Sequence, residues 1–284
     1  MAGRAEGLRI FLAVYHAGSA TTPLTPEARG QFAAYVATIV RQLPAIRDIV
    51  VANEPNLNRF WMPQFDEAGA DVAAPAYFAL LAEVYDAAKA VDADVAIWGG
   101  ALAPRGIDRP GTGRDTHSPT TFLRDLGAAY RASGRDEPPL DGFAYHPYPA
   151  SSSIPPDRPT HPESSAILLA DYEEKLRPLL DDAFGAGLPL LYSELGVETT
   201  IPAEKLPLYD GAETGKPVDE RTQADFYGRA LALAACQENV VGLLLFHSHD
   251  EPVLQGFQSG VYYVDGTPKT SLEPVHRAIA AARC

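Results

Sequence analysis

Cysteine is nearly absent. Two residues, Cys236 and Cys284, in a chain of 284 are too few for a disulfide scaffold. Cys236 lies in an Ala/Leu-rich helical segment and reads as a small buried thiol. There is no CxxC pair and no HExxH. His247-Ser-His249 comes nearest to metal-ligand spacing, and one pair without further ligands is weak, so no metal and no cofactor is expected. No apolar run approaches the ~20 residues of a membrane span. Residues 1–7 lack the apolar core of a signal peptide. A GxSxG nucleophile turn is missing. So is a phosphate loop, because Gly99-Gly100 stands outside any GxGxxG context. Positive charge is also scarce. The net charge is −14, which repels phosphate backbones and anionic lipid, so neither nucleic acid nor membrane is an expected partner.

What is present is apolar and periodic. Hydrophobic residues make up 46% of the chain, enough for one large core and a single domain over 1–284. Apolar runs fall at Leu8–Tyr15, Ile46–Ala52, Ala93–Trp98, Leu140–Tyr145, Leu188–Tyr192 and Val240–Phe246. Such near-continuous runs fit parallel strands covered on both faces. Between them lie helix starts: Thr25-Pro26-Glu27, Ala74-Pro75, Ser118-Pro119, Asp219-Glu220, and Thr270 or Ser271. A further helix near 164–184 carries Asp171, Glu173, Glu174 and Lys175 on a face expected to be solvated. Strand–helix alternation argues a parallel α/β fold.

The strand ends choose the architecture. In a (β/α) barrel, chemistry sits at the C-terminal ends of the strands. Here His16 follows the first run, Asn53-Glu54 the second, and Trp98 ends the third. His146 and Tyr148 follow the fourth, Glu194 the fifth, and His247 and His249 the sixth. The expected fold class is therefore α/β, a (β/α) barrel with six of the usual eight units. The Pro- and Ser-rich stretches 150–163 and 200–218 read as active-site loops.

Two carboxylates carry the chemistry. Val50-Val-Ala-Asn-Glu-Pro-Asn56 runs a buried strand into an amide, a carboxylate and a proline. The proline biases Glu54 toward extended backbone. Taken alone, this segment leaves two readings open: a positioned carboxylate, or a solvated charge at a helix start. Tyr192-Ser-Glu194-Leu places a second acid directly after a strand, where the bland reading is a structural ion pair. Two acids at strand ends supply what glycoside hydrolysis requires, one proton donor and one ionised carboxylate, with separated pKa values.

At these residues the chain resembles the glycoside hydrolases of clan A. Asn53-Glu54-Pro55 matches the acid/base motif ending the fourth barrel strand, and Ser193-Glu194 the nucleophile ending the seventh. Asn53-Glu54-Pro55-Asn56-Leu57 is similar to members of families 39 and 5. Ala144-Tyr-His146-Pro-Tyr148-Pro149 resembles the sixth-strand segment beside the nucleophile, and Gly260–Lys269 the closing segment. The resemblance implies a retaining O-glycosyl hydrolase with Glu54 as acid/base and Glu194 as nucleophile, their carboxyl groups ~5–5.5 Å apart. Its substrate is a glycoside or an oligo- or polysaccharide. Asn53 is expected on the sugar 2-hydroxyl.

That alignment makes Leu8–Tyr15 the third barrel strand. The first two units are then expected to be missing, with residues 1–7 the tail of the second helix. The clan's Arg near the second strand has no counterpart. A truncated gene model, a fragment, or a partner chain closing the barrel is the expectation, with self-association through the exposed strand edges.

The remaining site residues each have two readings. Tyr148 or His146 donates to Glu194, or is satisfied elsewhere. His16 and His247 bind sugar hydroxyls, or are ordinary polar residues. Trp61 and Trp98 stack on pyranose faces, or belong to the core. The alternative to an enzyme is a glycan-binding remnant without turnover.

Overall fold

The computed structural model describes residues 7–284. The helix-tail reading at 1–7 falls, but for Gly7, outside the described residues. Two compact units are present. The first holds the residues up to Tyr145 together with Leu176–Leu190, and the second holds His146–Lys175 and Leu191–Cys284.

In the first unit, strands β1 (Phe11–Val14), β2 (Asp48–Val51), β3 (Ala96–Leu102) and β4 (Gly142–Tyr145) alternate with helices α1 (Pro26–Gln42), α2 (Ala73–Lys89) and α3 (Pro119–Ser133). Helix α4 (Arg177–Phe184) packs in the same unit. Each neighbouring pair of these four strands is parallel, with Val50 opposite Ala13 and Trp98, and Trp98 opposite Gly142. The second unit carries most of β5 (Leu190–Leu195), then α5 (Glu220–Ala235), β6 (Val240–Leu245) and α6 (Leu272–Ala281). Strand order is β1-β2-β3-β4-β5-β6, so every strand is followed across a helix by its sheet neighbour. No helix among the described residues is long and apolar enough to cross a membrane.

The predicted caps work as read. Thr25 accepts from the Ala28 N–H at 3.1 Å, Ser118 from Thr121 at 3.2 Å, and Asp219 from Thr222 at 2.7 Å. At α2 it is Asp71 that accepts from the Ala73 and Ala74 N–H groups, at 2.7 and 3.0 Å. These bonds satisfy donors that a helix start leaves open. Helix α2 buries Tyr77, Phe78, Leu80, Leu81 and Val84, side chains worth roughly 1.5–3 kcal/mol each when fully buried. All four residues of β2 are buried, as a strand covered on both faces must be.

Three expectations need correction. The helix near 164–184 becomes α-helical only at Arg177, after a 3-10 turn at Leu169–Asp171 and a π turn at Tyr172–Leu176. Asp171 is buried rather than solvated. Its carboxylate accepts from Thr160 N–H at 2.9 Å and Leu168 N–H at 2.7 Å, closing the preceding loop on itself. Cys236 is exposed and bonded to Cys284, so it is not a buried thiol. Proximity across 48 residues decided that pairing, and spacing alone could not show it.

Candidate active site

Glu54 lies three residues past the end of β2, in backbone that ordinary side chains rarely adopt. Ala52, Glu54 and Ala101 have φ of 70°, 41° and 48°. Such left-handed residues cost on the order of 1–3 kcal/mol each and cluster where a site demands them. The proline after Glu54 favours extended backbone, but tertiary bonds override it. The Glu54 N–H donates to the Ala101 carbonyl at 2.9 Å, and the Glu54 carbonyl accepts from Leu57 at 2.9 Å. Gly100 sits beside this junction with φ 91°, and a Cβ there would lie 2.4 Å from the Phe143 ring.

Asn56 locks the segment that follows. Fully buried, it donates to the carbonyls of Ala103 and His117 at 3.1 and 3.0 Å and accepts from the Ala103 N–H at 2.9 Å. The Tyr77 hydroxyl donates to the Val51 carbonyl at 3.0 Å and accepts from the Gly100 N–H at 2.7 Å. Both side chains tie the end of β2 to β3. Arg105, just past β3, is close enough to Glu54 and Tyr145 for their charges to raise its pKa, though burial is the larger effect and lowers it.

In the second unit Glu194 is the penultimate residue of β5. Tyr148 donates to its Oε2 at 3.1 Å, and Nδ1 of the buried His146 lies 3.6 Å from the same oxygen. A tyrosine O–H on a carboxylate favours the ionised form. An aromatic wall stands alongside: Phe246 lies 6.1 Å from Tyr148 and 5.2 Å from Phe257, and Phe257 is exposed.

The other predicted residues divide. Asn53 is half-buried beside Glu54. His16 is half-buried, with Nδ1 2.9 Å from the Gly18 carbonyl and its pKa lowered by burial. His247 is stacked on Phe246 at 4.0 Å and lies 3.6 Å from Glu251. His249 stacks instead on Tyr262, so the two histidines face different partners.

Neither tryptophan is a stacking platform. Trp61 is fully buried, edge-on to His16 and Tyr77. Trp98 is 3% exposed in mid-strand, because β3 continues to Leu102, and its indole N–H donates to Asp48 at 3.0 Å. Their large apolar surface made them candidates, and the same surface drew them into the core. Reasoning from strand ends missed Arg105, Asn56, Phe246 and Phe257. Ending the third strand at Leu102 brings Arg105 into view by the same rule.

No family model and no curated protein matches this sequence. Solved structures do match. A family 39 glycoside hydrolase from Bacteroides cellulosilyticus WH2 superposes at TM-score 0.63 with 20% identity, over 99% of this chain and 51% of that one. A glucosidase from Croceicoccus marinus matches at 0.61 with 14% identity, over 98% and 51%. A monomeric β-xylosidase from Caulobacter crescentus CB15 matches at 0.58 with 18% identity, over 97% and 53%. This chain spans about half the length of these proteins.

The fold is that of the glycoside hydrolase (β/α) barrels, with six strand–helix units in this chain. The solved structures that share it belong to family 39 and other glycoside hydrolases.

Proposed function

We propose that this protein is a retaining O-glycosyl hydrolase, with Glu194 as nucleophile and Glu54 as acid/base. The observation that carries the reading is the setting of Glu194, a half-buried carboxylate at the C-terminal end of β5, bonded by Tyr148 and flanked by aromatic rings. Barrel enzymes hold their chemistry at that end of the strands. Glu54 follows the end of β2 on left-handed backbone held by Ala101. The fold shared with xylosidase and glucosidase structures agrees with this chemistry.

In the first step a Glu194 oxygen bonds to the anomeric carbon. The glycosidic C–O bond breaks, and Glu54 gives its proton to the leaving oxygen. Water then attacks the anomeric carbon, gives a proton to Glu54 and frees Glu194. Phe257 offers an exposed ring for a pyranose face, and Asn53 an amide for the 2-hydroxyl.

Nitrophenyl β-xyloside and β-glucoside are the first substrates to try. Glu194→Ala is expected to lower kcat by at least about 10³-fold. Azide restores turnover in both Glu194→Ala and Glu54→Ala. It gives the inverted glycosyl azide in the first and the retained one in the second. Inverted sugar from the unmodified protein, or full activity in Glu194→Ala, sinks the assignment. Glycan binding without any turnover selects the binding remnant.

A further inference from the structure

The first unit holds a cleft of about 500 Å³ between the Leu57–Arg59 segment and the loop after β3, lined in part by Arg59, Arg105 and Arg114. Three guanidinium groups in one cleft are notable in a chain of net charge −14. The net charge is spread over the whole surface, and at physiological salt a charge is felt over only about 8 Å. The immediate neighbours decide what this cleft attracts.

The nearby carboxylates are held by the loop backbone rather than by Arg59 or Arg114. Asp108 is engaged by the Ser118 N–H at 2.6 Å, and Asp115 by the Thr112 N–H and hydroxyl at 2.9 and 3.2 Å. Arg59 and Arg114 pair with no acidic side chain among the described residues. Arg105 also feels the charge of Glu54, so one guanidinium of the cleft lies near that carboxylate.

The walls are also fixed in advance. Leu57 and Thr116 form an antiparallel bridge, Thr116 accepts from the Ile107 N–H at 3.0 Å, and Asn56 ties its own loop to Ala103 and His117. A Cβ on Gly106 would lie 2.0 Å from the His117 carbonyl oxygen, so only glycine lets these two strands of loop approach. Fixed walls lower the ordering cost of binding. Guanidinium forks match the paired oxygens of a carboxylate or sulfate.

We propose that the cleft of Arg59, Arg105 and Arg114 is a subsite for an anionic sugar substituent, a carboxylate or a sulfate on the substrate glycan. That the ligand is a glycan rests on the hydrolase reading; that it is anionic rests on the cleft.

Calorimetric titration of the full chain with digalacturonate, 6-O-sulfated galactobiose and unmodified galactobiose tests it. At least one anionic disaccharide binds about tenfold or more tightly than the neutral one, since a charge-assisted pair is worth that much. The preferred anion names the group. Arg59→Ala/Arg114→Ala lowers that ratio at least about fivefold. Arg59→Lys/Arg114→Lys keeps part of the preference. An unchanged melting midpoint shows that the alanine variant is folded.

Equal binding of all three sugars, no binding of any, or a preference undiminished in the alanine variant overturns the subsite. Failure of the hydrolase reading looks different. The anion preference is then present and falls with the arginines, while no glycoside is turned over. Turnover of neutral glycosides without any preference removes the subsite alone.

Discussion

Asn56 is the residue on which the Glu54 segment depends. It is fully buried and makes three hydrogen bonds. Truncation leaves two carbonyls and one N–H without partners, and such groups cost about 1–3 kcal/mol each when buried. Asn56→Ala is therefore expected to lose about 3 kcal/mol in urea unfolding. If the proposed hydrolase activity holds, turnover falls with it, because Glu54 loses its support. Wild-type stability in this variant contradicts the account.

Asp71 gives a pH dependence of unusual sign. Burial pushes its pKa from 3.8 up to about 6, against the pull of the α2 N–H groups and His117, whose Nε2 lies 3.3 Å away. The folded-state pKa is the higher one. The unfolded chain therefore releases this proton near its ordinary value while the folded chain still holds it. Asp71 contributes its full stability below about pH 4, and that contribution is lost as pH rises through about 6. Asp71→Asn keeps an oxygen for the helix cap and cannot ionise. Its urea midpoint is expected to fall less than that of the wild type between pH 4 and 6. Parallel pH profiles for the two proteins refute this.

Among the α-helices, α6 buries the fewest side chains, with Val275 its one buried residue. Val275 joins the cluster of Val197, Phe226, Tyr227 and Val261. The Cys236–Cys284 disulfide ties the end of the chain to the C-terminal cap of α5. A closed loop of 48 residues is worth about 4 kcal/mol in the chain-entropy picture. Reductant should lower the melting midpoint of the wild type and leave Cys284→Ser, already destabilised, unmoved. A wild-type midpoint indifferent to reductant argues that the bond adds nothing.

For the whole molecule, the ends of the strand order matter. β1 and β6 are the terminal strands. β6 leaves Val241 49% and Leu244 37% exposed, more than a covered strand shows. Strand edges of this kind recruit other chains. Concentration-dependent self-association is expected in sedimentation velocity, reduced by Val241→Lys with Leu244→Lys. A monomeric boundary at every concentration rejects it.

Much was legible in the chain itself. Apolar runs and capping residues are local signals, so all six strands and the starts of α1, α3 and α5 could be read directly. Decorated strand ends pointed to a barrel, because the ends of parallel strands face the open rim. Glu54 and Glu194 became the proposed pair for the same reason. Burial, backbone strain and long-range pairing were not legible, because each depends on what the fold brings close. Trp61 and Trp98 went to the core, Asp171 closed a loop, and Cys236 met Cys284. Ala101, 47 residues from Glu54, drew that residue into left-handed backbone against the preference of its proline. Periodicity along the chain determined which segments became strands and helices. Only the tertiary structure decided which polar and aromatic groups meet, since partners distant in sequence leave no periodic trace.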